Sequence, residues 1–195
     1  MSKTTICKRA RRKVKQAREL DGRLAGFLEK SDSIKQVPNI KNTRKQIANI
    51  MAEARELWFE KVKSYLEEYV EARMFSKRLR RGNQAVFSEN LRAPDKEGKI
   101  VYQGDIGFKD GLTKLPAGLE VMGDLDLESV NSLSKLPPRL TIKGVLNIAG
   151  TSITELPGDL IAESVTCKQQ DALDGLEDQL NKLGEKGQVT HFKFV

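Results

Sequence analysis

Four similar blocks recur along the second half of the chain at a nearly constant step, and that period restricts the fold more than any other feature. They occupy residues 100–108, 119–127, 140–148 and, in decayed form, 160–167, with Gly104, Gly123, Gly144 and Ser164 at equivalent places and steps of 19, 21 and 20 residues. A second phrase falls between them: Leu112, Leu115 and Pro116, then Leu133, Leu136 and Pro137, then Ile153, Leu156 and Pro157. A fixed period near 20 residues with this punctuation predicts a solenoid, in which each repeat is one turn of a coil.

The repeat makes physical sense as such a turn. Leu119 and Val121 alternate with polar residues, so they share the inner face of a short strand. Gly123 follows where the chain must bend, and Leu125 and Leu127 form a second inward pair. Leu133 and Leu136 close the turn, and Pro137 prevents a helix from propagating. One turn cannot bury its own apolar face, so stacked neighbours supply the core and both ends need caps. At the carboxyl end, Ala172, Leu173, Leu176, Leu180 and Leu183 recur at helical spacing up to Gly184. The alternating stretch Val189 to Val195 reads as a strand covering the open end. At the amino end, Gly82 to Gly98 reads as the junction.

The stretch Leu136 to Pro157, with Leu140, Ile142, Gly144, Leu146 and Ile148 followed by Ile153-Thr-Glu-Leu156-Pro157, resembles the short leucine-rich repeats of bacterial and phage proteins. It is more distantly similar to the repeats of secreted bacterial effectors, which share the closing Leu-Thr-x-Leu-Pro phrase. It departs from them in placing Thr151 where a turn Asn is usual and in a longer segment between Leu-Pro and the Leu-x-Leu strand, which carries a Val-x-Gly-Asp insertion. The resemblance covers about residues 100–167 and implies a binding solenoid, since such repeats seldom carry out chemistry; residues 1–99 carry no resemblance.

Charge divides the chain again. Residues 1–99 hold 25 Lys+Arg against 13 Asp+Glu, whereas residues 100–195 hold 9 against 14, which together give the overall +7. Such a split marks modules with different partners. Two cysteines, Cys7 and Cys167, are too few for a disulfide scaffold and fit a reducing compartment. The first 20 residues lack the apolar core of a secretory signal, and no stretch is apolar enough to span a bilayer. The expectation is a cytoplasmic protein, with secretion by a route lacking a cleaved signal left open.

The first half reads as two helices. Ile6, Ala10, Val14, Ala17, Leu20, Leu24, Phe27 and Leu28 form one apolar stripe. A second helix, capped by Asn42 or Thr43, is expected to run to about Arg81 with Gly82 as its stop, on a stripe that includes Ile47, Ile50, Met51, Ala54, Leu57, Trp58, Val62 and Leu66. The linker Lys30 to Lys41, containing Pro38, reverses the chain. The fold class is therefore α+β: an antiparallel helical hairpin (1–82), a junction (83–99), a leucine-rich-repeat-like solenoid (100–168) and a helix/strand cap (169–195). The length of the second helix also suggests a coiled-coil-like homodimer through the hairpin.

Two basic clusters stand out. Lys8, Arg9, Arg11, Arg12, Lys13, Lys15 and Arg18 precede the first acid, Glu19, and Lys77, Arg78, Arg80 and Arg81 end the expected second helix. In an antiparallel hairpin both clusters meet at one tip, where they could grip phosphates. The alternatives are a solvated helix face, pairing with acids of the second helix, and dipole complementarity at a helix carboxyl end. The apolar face is too thin for a membrane-lying helix, so no membrane partner is expected.

Catalytic chemistry finds little support. His191 is the single histidine and falls in the terminal strand, and there is no glycine-rich phosphate loop, zinc pair or metalloprotease motif. Cys7 beside Lys8 and Arg9 lacks a partner base. Asp124, Asp126 and Glu128 alternate, but Val145, Asn147 and Ala149 do not preserve their charge, so they read as a solvent face rather than a cation site. No enzyme, cofactor or metal is expected. Two functions remain. In the first, outward residues of the solenoid (Glu120, Asp124, Asp126, Glu128, Thr141, Lys143 and Asn147, with Glu155 and Asp159) bind a protein while the hairpin docks or dimerises. In the second, the basic hairpin tip binds RNA or DNA and the solenoid serves as an adaptor.

Overall fold

A computed structural model describes residues 3–28, 37–70, 83–169 and 175–195. The chain divides into two compact units, Met1–Val62 and Lys63–Val195. In the first, α1 (Lys3–Leu28) packs on the leading part of α2 (Val37–Tyr69) as a helical hairpin. Among the described residues, Ala17, Leu24, Ala54 and Phe59 are its buried apolar ones, and Lys13 Nζ bonds Glu53 Oε2 at 2.6 Å between the helices. Small residues at Ala17 and Ala54 leave room for two backbones to approach closely.

The bounds of α2 differ from the sequence expectation at both ends. It begins at Val37, so Pro38 lies in its first turn, where proline's missing amide has no helical acceptor to lose. It ends at Tyr69, because Val70 pairs with Phe108 in an antiparallel bridge. The 33-residue helix is thus about 50 Å long. Gly82, expected as the stop, lies outside the described residues.

The second unit is built on a parallel β-solenoid of about three turns. Each coil contributes two short strands. The first row is β2 (Ile100–Tyr102), β4 (Leu119–Val121) and the start of β6 (Thr141–Asn147), joined in parallel. The second row is β3 (Ile106–Lys109), β5 (Leu125–Ser129) and the end of β6. β7 (Ile161–Cys167) follows β6 through both rows, with a register shift between Ile142 and Val145. The third side of each coil carries the Leu and Pro phrase without a named element.

The alternation in sequence becomes the inner wall. Tyr102, Val121, Ile142 and Ala162 stack in register along the first row, and Ile106, Leu125, Leu146 and Val165 along the second. Leu112, Leu133 and Ile153 complete the core from the third side, all buried.

Both ends are capped. At the carboxyl end β8 (Val189–Phe194) adds a parallel rung beside β7, as its alternation implied. α4 (Leu176–Glu185) buries Leu176, Leu180 and Leu183, and its Gln179 accepts from the Leu156 amide at 2.8 Å and donates to the Thr154 carbonyl at 3.1 Å. At the amino end the stretch expected as a plain junction holds α3 (Asn83–Asn90) and β1 (Leu91–Arg92), which pairs antiparallel with β2. Phe87 stacks on Tyr102 with ring centroids 5.6 Å apart. The last turns of α2 also close this end. Tyr65 Oη accepts from the Thr113 amide at 3.0 Å, and the Tyr69 ring fills the space beside Gly111 (φ 95°).

The inward register gives a stability test. Leu146→Ala should lower unfolding stability by about 2–5 kcal/mol, because Leu146 is fully buried in the stack. Met122→Ala, on an outward and exposed position, should change it by about 0.5 kcal/mol or less. Equal denaturation midpoints for the two variants would contradict the register.

Candidate protein-recognition face

The outer face of the first strand row carries a column that the register defines: Val101, Glu120, Thr141 and Ile161 lie side by side on successive coils. Glu120 is only 8% exposed, because Lys99 Nζ sits 2.6 Å from its Oε2 and Lys143 Nζ lies 3.9 Å from its Oε1. The hydrogen bond to Glu120 holds the Lys99 ammonium above the ordinary lysine value. Lys99 is itself presented by a tight turn in which Asp95 Oδ1 accepts from the Glu97 and Lys99 amides at 2.8 and 2.9 Å. Further along this row Met122, just after β4, is 43% exposed, and Ile161, next to Thr141 in the column, is 44% exposed. The face therefore offers exposed apolar side chains on the same row as a neutralised charge.

Met122 and Ile161 were not among the outward residues singled out from sequence, which were chosen for polarity. The signal was present: if Leu119 and Val121 point inward, Met122 points outward, and Ile161 lies between two inward residues.

The second row presents a different picture. Asp124 Oδ1 accepts from the Val145 amide at 2.7 Å, while the Asp124 amide donates to Asp105 Oδ1 at 2.9 Å. Asp126 Oδ1 accepts from the Glu128 amide at 3.0 Å and from Asn147 Nδ2 at 3.2 Å, and Asn147 Oδ1 accepts from the Ala149 amide at 3.2 Å. These carboxylates join one coil to the next. Glu128 is exposed on the same row, and Lys143 is exposed on the first. Glu155 and Asp159 are exposed, and Asp159 Oδ2 accepts from the Arg139 amide at 2.9 Å. His191 is exposed in β8, and Cys167 is a buried thiol facing the core.

In the hairpin, Lys8, Arg9, Arg11, Arg12, Lys15 and Arg18 of α1 are exposed, while Lys13 is partly covered where it meets Glu53. Lys77, Arg78, Arg80 and Arg81 lie outside the described residues, and so does their expected meeting with the first cluster. Among the described residues no helix is long and apolar enough to cross a membrane. No protein-family model matches this chain, and no curated protein or solved structure matches it significantly.

The carboxylates that hold turns and corners make stability acid-sensitive. Asp95 is held below the ordinary aspartate value, foremost by the Lys99 amide, and Asp110 likewise, foremost by the Gly111 amide and then by Ser132. A lowered native pKa means that the unfolded chain binds protons first, so this stability is present above the unfolded value and is lost as pH falls through the native one. Lowering the pH from about 5 to about 3 should reduce the melting temperature of the native protein more than that of an Asp95→Asn, Asp110→Asn variant. Parallel curves would show that these hydrogen bonds contribute nothing.

Proposed function

We propose that this protein is a non-catalytic recognition scaffold that binds a protein partner through the outer face of its first strand row, with the helical hairpin serving for docking or dimerisation. The observation that carries the reading is that Met122 and Ile161 stay exposed on the strand row that holds the covered Glu120–Lys99 pair. Exposed apolar side chains, methionine among them, together with a polar pair that is already satisfied are what a desolvated interface core is made from. A stacked solenoid holds them rigidly, so little side-chain and loop ordering opposes binding. The Leu and Pro closing phrases on the third side support a repeat of the leucine-rich type, whose faces serve recognition. On α2, Met51 and Trp58 are exposed seven residues apart, one heptad, which supports the docking or dimerisation role of the hairpin.

A photo-crosslinking amino acid placed at Met122 or Ile161 of the full chain, exposed to cells of its source, should give one discrete protein adduct. The same probe at Glu177 on α4 should not, and adding Lys143→Glu should weaken the adduct several-fold. No adduct, or the same adduct from Glu177, would refute the assignment of this face. Independently, if the hairpin dimerises, Trp58→Glu should return the sedimenting species to monomer. A monomeric native chain at all concentrations would remove that role.

A further inference from the structure

The hairpin leaves one face of α1 unused by packing, and that face collects charge. Lys8, Arg11, Arg12, Lys15 and Arg18 follow one another at steps of three, one, three and three residues, so they share one side of the helix. Ala17 and Leu24, the buried positions of α1, lie on the opposite side. Lys13 turns toward α2 and is committed to Glu53. Lys15 Nζ lies 3.9 Å from Glu19 Oε1, but both are well exposed, and such a pair is weak enough for an incoming anion to replace.

We propose that this side of α1 binds the sugar-phosphate backbone of double-stranded DNA through Lys8, Arg11, Arg12, Lys15 and Arg18, without reading base sequence. The proposal is independent of the solenoid's role. From Lys8 to Arg18 the helix rises about 15 Å, a length over which one strand of a duplex presents roughly four phosphates. Five cations thus face about four phosphates over the same length.

The chemistry of the stripe selects among polyanions. No aromatic residue occurs between Lys8 and Ala25, so there is no platform on which unpaired bases could stack, as single-strand binding uses. A straight basic helix fits the wide major groove of B-form DNA, whereas the deep, narrow groove of duplex RNA does not admit it. An anionic membrane needs an apolar face beside the charges, whereas the buried apolar residues described on α1, Ala17 and Leu24, lie opposite the stripe and are taken up by the hairpin.

The test measures fluorescence anisotropy of the full chain with two unrelated 20-base-pair DNA duplexes across a salt series. Parallel titrations use a single-stranded oligonucleotide, duplex RNA and phosphatidylserine vesicles. Both duplexes should bind equally, with log K falling against log salt at a slope of about −4. Arg11→Gln, Arg12→Gln and Arg18→Gln together should flatten that slope by roughly 2.7, since each lost cation removes about 0.9. Circular dichroism should show unchanged helix content, as glutamine is a good helix former. Lys13→Gln, on the packed side, should leave the slope unchanged. The proposal is overturned if the duplexes fail to bind at low salt or if the folded triple variant keeps the native slope. Tighter binding of single strands, duplex RNA or vesicles than of duplex DNA would also overturn it.

Discussion

The second and third coils of the solenoid are each held at their first bend by a carboxylate from the coil before, and the spacing of the repeat follows from that contact. Asp105 accepts the Asp124 amide, and Asp124 in turn accepts the Val145 amide. The carboxylate occupies the space where a side chain of the next coil would start: a Cβ on Gly123 would fall on Asp105, and one on Gly144 on Asp124. The repeated glycine and the repeated aspartate are thus two halves of one device. Where the aspartate gives way to Val145, no carboxylate reaches the next coil, and Ser164 takes the place that glycine held before.

Two further corners use the same principle with different groups. At one, Ser132 donates its amide to Asp110 and its hydroxyl to the Leu112 carbonyl, and Ser152 Oγ donates to the Asn131 carbonyl on the following coil. At the other, the Gly118 amide donates to the Pro138 carbonyl and the Arg139 amide to Asp159. The bonds to Asp110 and Asp159 are charge-assisted and satisfy bend amides that the parallel strands leave unpaired. Such carboxylate bonds also spend much of the acidity that the second row displays in sequence. On the first row Glu120 is instead neutralised by lysines, and Met122 and Ile161 stay exposed, which is why the proposed recognition face is placed there.

Much of this was legible from residue spacing. The inward pairs Leu119/Val121 and Leu125/Leu127, the terminal strand and the C-terminal helix all follow from periodicity, because burial on one face leaves a period of two or of 3.6. The roles of the outward residues were not legible. Asp124 and Asp126 read as a solvent face because their partners, the amides of Val145 and Glu128 and the side chain of Asn147, become neighbours only through turns and coil stacking. The end of α2 was missed for a related reason: the apolar stripe continues past Tyr69 toward Met74, and nothing local marks the point where Val70 leaves the helix to pair with Phe108. Pro38 read as a linker, although a first helical turn tolerates it equally well.

The claim that glycine and aspartate form one device between coils is tested most directly by a double-mutant cycle on the full chain, with stability taken from denaturant unfolding. Gly144→Ala should be strongly destabilising beside Asp124 and much less so in an Asp124→Ala background, because removing the carboxylate vacates the space the new methyl needs. A coupling of roughly 0.5–3 kcal/mol is expected for groups in such contact. Strictly additive effects would show that Gly144 answers to some other constraint, and that the ladder does not set the repeat.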